Sequence, residues 1–132
     1  MIVLDASIVV DLLLDRPPYG GIAGDLVAEH GGDLHAPHLI DAEVTQILRR
    51  YVMRRAMRRD RASEAVDTLN DLPITRYPHG RFLQRSMEMS SNLTIYDALY
   101  VALAEALAIP LATRDGGIAR SARRWIRVVH IR

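Results

Sequence analysis

The chain has 132 residues, of which 49% are hydrophobic and 25% charged, as expected for one ordinary globular domain. It contains no cysteine, which excludes disulfide bonds and thiolate metal sites, and its formal net charge of +1 is too small to indicate a polyanionic partner by itself. No apolar stretch approaches the roughly 20 residues that span a membrane, and the opening run carries acids but no basic leader, so we expect a cytoplasmic protein without membrane contact.

The first third of the chain is predicted to alternate between strands and helices. Ile2-Val3-Leu4 is typical of a short buried strand that ends at Asp5, and Ser7 can cap a helix that runs to about Leu14. Proline and glycine mark 16–21 as a loop. A helix over 22–30 should end at Gly31-Gly32, and 34–36 should form the second strand.

The rest of the chain continues this alternation. Apolar residues at helical spacing predict a long helix from about Leu39 to Arg55 and another over 60–72. The expected order then continues with a strand at 74–77, helices at 82–89 and 95–108, a strand at 111–113, a helix at 118–123 and a strand at 128–131. This pattern predicts an α/β fold in a single domain over 1–132, with a parallel sheet covered on both faces.

Asp97 is the most informative acid, because its helix is apolar nearly all round. A buried carboxylate needs a hydrogen bond, a counter-charge or a metal, and the helix supplies no basic residue. Thr94 to Asp97 also fits a capping box loosely, with Asp in the place of Glu. Capping and metal binding therefore both stay open for Asp97.

Asp5 and Asp115 each follow a predicted strand directly. Functional groups of parallel sheets collect beyond the carboxyl ends of the strands, which predicts that these two acids lie close together. Each also has an ordinary explanation as a turn or helix-capping aspartate. Their joint placement is therefore more informative than either residue alone.

Glu43 lies inside the long predicted helix, where capping cannot explain it. On a helical wheel it falls at one edge of the apolar stripe, and Asp41 falls at the opposite edge, so the wheel does not choose between them. If these acids converge with Asp5, Asp97 and Asp115, they form a cluster of carboxylates that repel one another. Such clusters bind hard cations, above all Mg²⁺, with Mn²⁺ as a substitute.

Four segments together resemble the PIN-domain family, and more narrowly the VapC toxins of bacterial toxin–antitoxin pairs. The segments are Met1 to Ser7, Leu39 to Val44, Thr94 to Ala104 and Leu111 to Asp115. They occur in the family's order, and the match in element order spans the chain. The resemblance implies a PIN-like five-stranded parallel sheet in the order 3-2-1-4-5, flanked by helices.

The resemblance also implies an activity and its residues. It implies Mg²⁺- or Mn²⁺-dependent hydrolysis of RNA phosphodiester bonds, with Asp5, Glu43, Asp97 and Asp115 as catalytic metal ligands. It thereby favours Glu43 over Asp41. Ser7 and Thr113 would be hydroxyls that orient the acids. The resemblance is compatible with one bound ion and with two.

The expected partners follow from the same resemblance: RNA, a cognate antitoxin packed around 39–72, and a second copy of the chain. All 17 basic residues are arginine, and seven of them fall between 49 and 61. Arg50, Arg54, Arg58 and Arg61 would share one helical stripe if the helix were unbroken, and the first three could contact RNA or the antitoxin there. A solvated helix face is the ordinary alternative.

Other functions fit the sequence less well. The absence of lysine excludes a phosphate-binding P-loop, and the histidines at 35 and 38 are expected in a loop rather than in a metal site. The tyrosines and Trp125 are expected in the core or at an interface rather than as base-stacking platforms. A PIN-fold protein that binds RNA or a partner without cutting, and a phosphatase of small esters, stay open as alternatives.

Overall fold

A computed structural model describes all residues from 1 to 132. The strands are β1 (Ile2–Leu4), β2 (Leu34–Pro37), β3 (Ile74–Tyr77), β4 (Leu111–Thr113) and β5 (Val128–His130). The helices are α1 (Ala6–Leu14), α2 (Tyr19–Glu29), α3 (Leu39–Met53), α4 (Arg59–Asp71), α5 (Leu83–Glu88), α6 (Ile95–Leu107) and α7 (Gly116–Ala122), with a 3₁₀ turn at Gly80–Phe82.

The five strands form one parallel sheet in the order β3-β2-β1-β4-β5, which confirms the predicted topology. The short central strand β1 is fully buried because all three of its side chains are large and apolar. Its neighbour β4 pairs Leu111 with Val3 and Ala112 with Leu4. The residues that follow these two strands therefore leave the sheet side by side.

Helices cover the sheet and define the surroundings of its carboxyl edge. The apolar helix α6 packs on β1, β2 and β4, as its nearly continuous hydrophobic surface predicts. On the other side α1 packs against α2, α3 and α4. Both α1 and α6 have their amino ends at the edge where β1 and β4 end.

None of the helices has the length and apolar character that a membrane span requires.

Three local predictions were wrong. Helix α2 begins at Tyr19, inside the expected loop, where Gly20 passes so close to Asp15 that a Cβ atom would lie 2.6 Å from its backbone. Helix α3 ends at Met53 because Arg55 adopts a left-handed conformation with φ 58°. His35 is a buried residue of β2 rather than a loop residue, and its Nδ1 lies 2.7 Å from the Tyr77 hydroxyl.

Candidate active site

Asp5 occupies the turn between β1 and α1, and only 6% of it is exposed. Its Oδ1 accepts hydrogen bonds from the Ile8 amide at 3.3 Å and from the Ser7 hydroxyl at 2.5 Å, while Oδ2 accepts from the Thr113 hydroxyl. Asp5 is therefore the residue that caps α1, the role expected for Ser7. Burial raises the pKa of Asp5 to about 6, although the hydrogen bonds that its carboxylate accepts act in the opposite direction.

Asp115 is joined to Asp5 through Thr113. The Thr113 hydroxyl donates to Asp5 and accepts from the Asp115 amide at 2.9 Å. The neighbouring register of β1 and β4 produces this bridge, since the Asp5 amide also donates to the Ala112 carbonyl at 3.2 Å. Asp115 caps α7 by accepting from the Ile118 amide at 3.0 Å. The capping interpretation is thus correct for one oxygen of each aspartate.

Asp97 lies in the first turn of α6. Its amide donates to the Thr94 hydroxyl at 3.1 Å, but the return bond of a capping box, from the Thr94 amide to the Asp97 carboxylate, is not formed. Burial raises the pKa of Asp97, and the negative charge of Asp115 raises it further. The two carboxylates are therefore close enough to interact, and capping does not account for the Asp97 side chain.

Glu43 and Asp41 point to different surroundings although both lie on α3. Arg76 binds Asp41 through its Nε at 2.8 Å, whereas Glu43 accepts a hydrogen bond from the Tyr100 hydroxyl at 2.6 Å. Burial raises the pKa of Glu43, and the charge of Asp97 adds to that rise. The structure thus pairs Asp41 with a base and leaves Glu43 with a hydroxyl partner and no base.

Tyr100 is a site residue that the sequence analysis missed. It is 2% exposed, and its pKa is raised by burial and by the negative charges of Glu43, Asp5 and Asp97. Its direct contact is with Glu43, and the charges of Asp5 and Asp97 are close enough to contribute to the raised pKa. The available signal was its position three residues after Asp97, which places both side chains on one face of α6.

No basic residue neutralises Asp5, Glu43, Asp97 or Asp115. The ion pairs of the protein join other acids to arginines: Asp11 to Arg114, Asp41 to Arg76, Asp60 to Arg58, and Glu88 and Glu105 to Arg85. Asp33 lies 2.8 Å from the Nε2 atom of His35. Neighbouring carboxylates without a counter-charge raise one another's pKa, as Asp97 does for Glu43 and Asp115 for Asp97. Such a site attracts a divalent cation.

Comparisons with known proteins agree with this arrangement. The family model described as "PIN domain" matches residues 2–124. The chain belongs to the PIN-domain family. Ribonuclease VapC12 of Mycobacterium tuberculosis is 40% identical over 121 residues, which are 92% of each chain. Ribonuclease VapC1 of the same species is 42% identical over 118 residues, covering 89% of this chain and 87% of the relative.

Solved structures support the fold of this PIN domain. The crystal structure of VapC20 from Mycobacterium tuberculosis, described as a sarcin-ricin loop cleaving toxin, superposes with a TM-score of 0.70 at 16% identity. The superposition covers 92% of this chain and 95% of that one. At this identity the likeness concerns the fold alone.

The donor atoms of this PIN domain fit a hard cation, although no three of its acidic or histidine side chains are gathered closely enough to hold an ion together. Mg²⁺ does not need such a cage. It keeps several of its waters and commonly binds through one or two carboxylates plus substrate phosphate oxygens. A buried, hydroxyl-fixed Asp5 next to unpaired acids supplies ligands of that kind.

The arginines expected on one stripe are divided by the end of α3. Arg50 and Arg54 border a cleft beside Ser7, whereas Arg58 lies beyond the helix end and pairs with Asp60 at 3.2 Å. Arg49 borders the opposite groove, between α3 and α4. Only part of the arginine cluster therefore lies beside the acidic site of the PIN domain.

Proposed function

We propose that this PIN domain is a metal-dependent ribonuclease and the toxin of a toxin–antitoxin pair. The observation that carries the proposal is the group of four acids, Asp5, Glu43, Asp97 and Asp115, drawn from distant parts of the chain and left without a basic partner. The names of the relatives at about 40% identity, VapC12 and VapC1, support ribonuclease activity.

The four acids are proposed to bind Mg²⁺, with Mn²⁺ as a substitute, one or two of them directly and the others through the waters that the ion keeps. The bound ion would acidify a water and neutralise charge on a phosphate oxygen. Asp5 is the most rigid ligand, because Ser7 and Thr113 fix its two oxygens. Asp97 and Asp115 lie at the starts of α6 and α7 and are proposed to complete the site.

Glu43 is proposed to serve also in proton transfer. Tyr100 occupies its Oε1, which leaves Oε2 free to accept a proton from the water that attacks the phosphorus. Burial and the charge of Asp97 raise the pKa of Glu43, which makes it a stronger base than a solvated glutamate. Protonation at Oε2 would in turn lower the negative charge of the site.

The proposed partners are an antitoxin and a second copy of the chain. The groove between α3 and α4, with Arg49 and Arg59 at its border and apolar residues along its floor, lies in the segment 39–72 expected to contact the antitoxin. An antitoxin arginine that reached the acids would replace the cation's charge and inhibit the enzyme.

The test is cleavage of mixed RNA by purified protein with Mg²⁺, with Mn²⁺ and with EDTA. We expect metal-dependent cleavage that is lost in Asp5→Asn and Asp97→Asn and retained in Asp25→Asn, a matched control on the exposed face of α2. Asparagine still caps a helix, so the Asp5 variant keeps its fold. RNA binding without cleavage would favour the non-catalytic alternative, and hydrolysis of a chromogenic monoester alone would favour a phosphatase.

A further inference from the structure

Arg114 adjoins two of the candidate carboxylates, yet its charge is directed elsewhere. It directly precedes Asp115, and its amide donates to the Ser7 hydroxyl at 3.2 Å. The same hydroxyl donates to Asp5, so the Asp5 carboxylate is only two hydrogen bonds away from the Arg114 backbone. An extended arginine side chain can span that separation. A freely rotating guanidinium group at this position would therefore be attracted to acids that have no counter-charge.

Two side chains instead bind the guanidinium group of Arg114. Its Nη1 donates to both carboxylate oxygens of Asp11 on α1, at 3.1 Å and 3.3 Å. Its central carbon lies 3.5 Å from the centre of the Tyr19 ring at the start of α2, which is a cation–π contact. The Asp11 side chain is 13% exposed, so this ion pair is partly shielded from solvent. Arg114 forms no ion pair with Asp5 or Asp115.

The turn after β4 is held by its backbone, without help from the Arg114 side chain. The amide of Arg114 is bound to Ser7, and His130 Nε2 lies 3.3 Å from the Arg114 carbonyl oxygen. The amide of Asp115 donates to the Thr113 hydroxyl at 2.9 Å. These contacts fix the turn on both sides of Arg114. The anchoring of its guanidinium group therefore has another purpose than holding the turn in place.

We propose that Asp11 and Tyr19 are positioning residues that keep Arg114 out of the acidic site and thereby leave that site to a divalent cation. This inference rests on the proposed function, because it concerns the affinity for the metal. Arginine pairs strongly with carboxylates, and a guanidinium group on Asp5 or Asp115 would offset the charge that attracts the ion. Asp11 binds the same guanidinium group with a carboxylate that the site does not use.

A second arginine beside Asp11 provides a matched control. Burial raises the pKa of Asp11, and the charges of Arg114 and Arg16 both oppose that rise, so Arg16 is close enough to interact with this acid. The guanidinium group of Arg16 lies 5.8 Å from the centre of the Tyr51 ring. Removal of either arginine changes the net charge near Asp11 equally. Only Arg114 adjoins the candidate ligands in the chain and in the hydrogen-bond network.

The experiment measures the dissociation constant of Mn²⁺ by isothermal titration calorimetry on the purified full chain, with thermal melts to check that each variant is folded. The single variants are Asp11→Asn, Arg114→Gln, Tyr19→Ala and Tyr19→Phe. Two double variants combine Asp11→Asn with either Arg114→Gln or Arg16→Gln. Asp60→Asn is a further control, because it frees Arg58, an arginine at the start of α4 that does not adjoin a candidate ligand.

We expect Asp11→Asn to weaken Mn²⁺ binding by about tenfold, the lower end of the usual effect of losing a group outside the ligands themselves. Adding Arg114→Gln should restore the wild-type affinity, whereas Arg16→Gln, which restores the same net charge, should not. Tyr19→Ala should also weaken binding, although it changes no charge, and Tyr19→Phe should match wild type because it keeps the ring. Arg114→Gln alone and Asp60→Asn should bind Mn²⁺ as wild type does.

Unchanged Mn²⁺ affinity in Asp11→Asn and Tyr19→Ala would overturn the inference. Equal rescue by the two arginine substitutions would overturn it as well, since net charge alone would then explain the effect, and so would weaker binding in Arg114→Gln alone. If wild type binds no Mn²⁺, the proposed metal-dependent function fails. A metal-free crystal structure of Asp11→Asn then decides the inference: Arg114 on Asp5 or Asp115 supports it, and Arg114 in any other place overturns it.

Discussion

The Tyr100 hydroxyl donates to Glu43 Oε1 at 2.6 Å and thereby joins α6 to α3 beside the carboxylates. The two residues are 57 positions apart, and the bond fixes the one candidate ligand that lies in mid-helix. Tyr100 thus does for Glu43 what Ser7 and Thr113 do for Asp5. Each of these two acids has a hydroxyl partner and an unneutralised charge.

Tyr100→Phe should reduce metal-dependent cleavage by about 10- to 100-fold, the usual cost of losing a group that orients a ligand. The hydrogen bond lowers the pKa of Glu43, so its loss raises that pKa and should move the pH–rate profile to higher pH. The ring remains, so the melting temperature should change little. An unaltered rate and pH profile would contradict the role given to Tyr100.

Glu43→Gln should affect cleavage and Asp41→Asn should affect stability, although the two acids lie on the same helix. The first removes a proposed ligand and should abolish cleavage with the melting temperature preserved. The second removes the partner of Arg76 and should cost about 1 kcal/mol of stability while cleavage persists. Thermal melts and RNA cleavage on both variants check this, and loss of activity in Asp41→Asn alone would reverse the assignment.

Millimolar Mg²⁺ or Mn²⁺ should raise the melting temperature of the wild-type protein. A ligand at 100 times its dissociation constant adds about 2.7 kcal/mol to the free energy of unfolding. Asp97→Asn should abolish this gain, because it removes a proposed ligand. It should also stabilise the metal-free protein, because the Asp97 charge repels the Glu43 carboxylate and raises its pKa. Identical wild-type melting curves with EDTA and with saturating metal would count against the site.

The raised pKa of Asp5 should make metal-free stability depend on pH. Between about 4 and 6 the native protein keeps a proton on Asp5 that the unfolded chain has released, so stability falls as pH rises through this range. Urea unfolding in EDTA should show this fall, and Asp5→Asn should lessen it. Stabilisation by Mg²⁺ should instead grow as pH passes about 6, because the ion binds the carboxylate form. A wild-type slope equal to that of Asp5→Asn would refute the assignment.

The strand order and the strand-exit acids could be predicted because they depend on local patterns. Asp5 and Asp115 follow short apolar strands, and the carboxyl ends of parallel strands meet at one edge. The choice between Glu43 and Asp41 could not be made on the wheel, since it depends on Arg76 and Tyr100, which lie on other elements.

The end of α3 was also beyond local patterns. No glycine or proline marks residues 54–58, and the helix ends where Arg55 takes a left-handed conformation that glycine or asparagine usually supplies. The early start of α2 could not be predicted because glycines that usually mark a loop lie inside this helix. Gly20 and Gly21 indicate a loop by composition, but the first of them serves a close backbone approach within a helix.

Asp5 and Asp115 each cap a helix as well as belonging to the proposed metal site. Alanine at either position would therefore remove a proposed metal ligand and also destabilise a helix. A loss of cleavage in such a variant would have two explanations. The Asp97 carboxylate does not cap its helix, because the capping bond of α6 joins the Asp97 amide to the Thr94 hydroxyl. For a crystal structure with uncut RNA, Asp97 is accordingly the position at which to inactivate the protein without disturbing its fold.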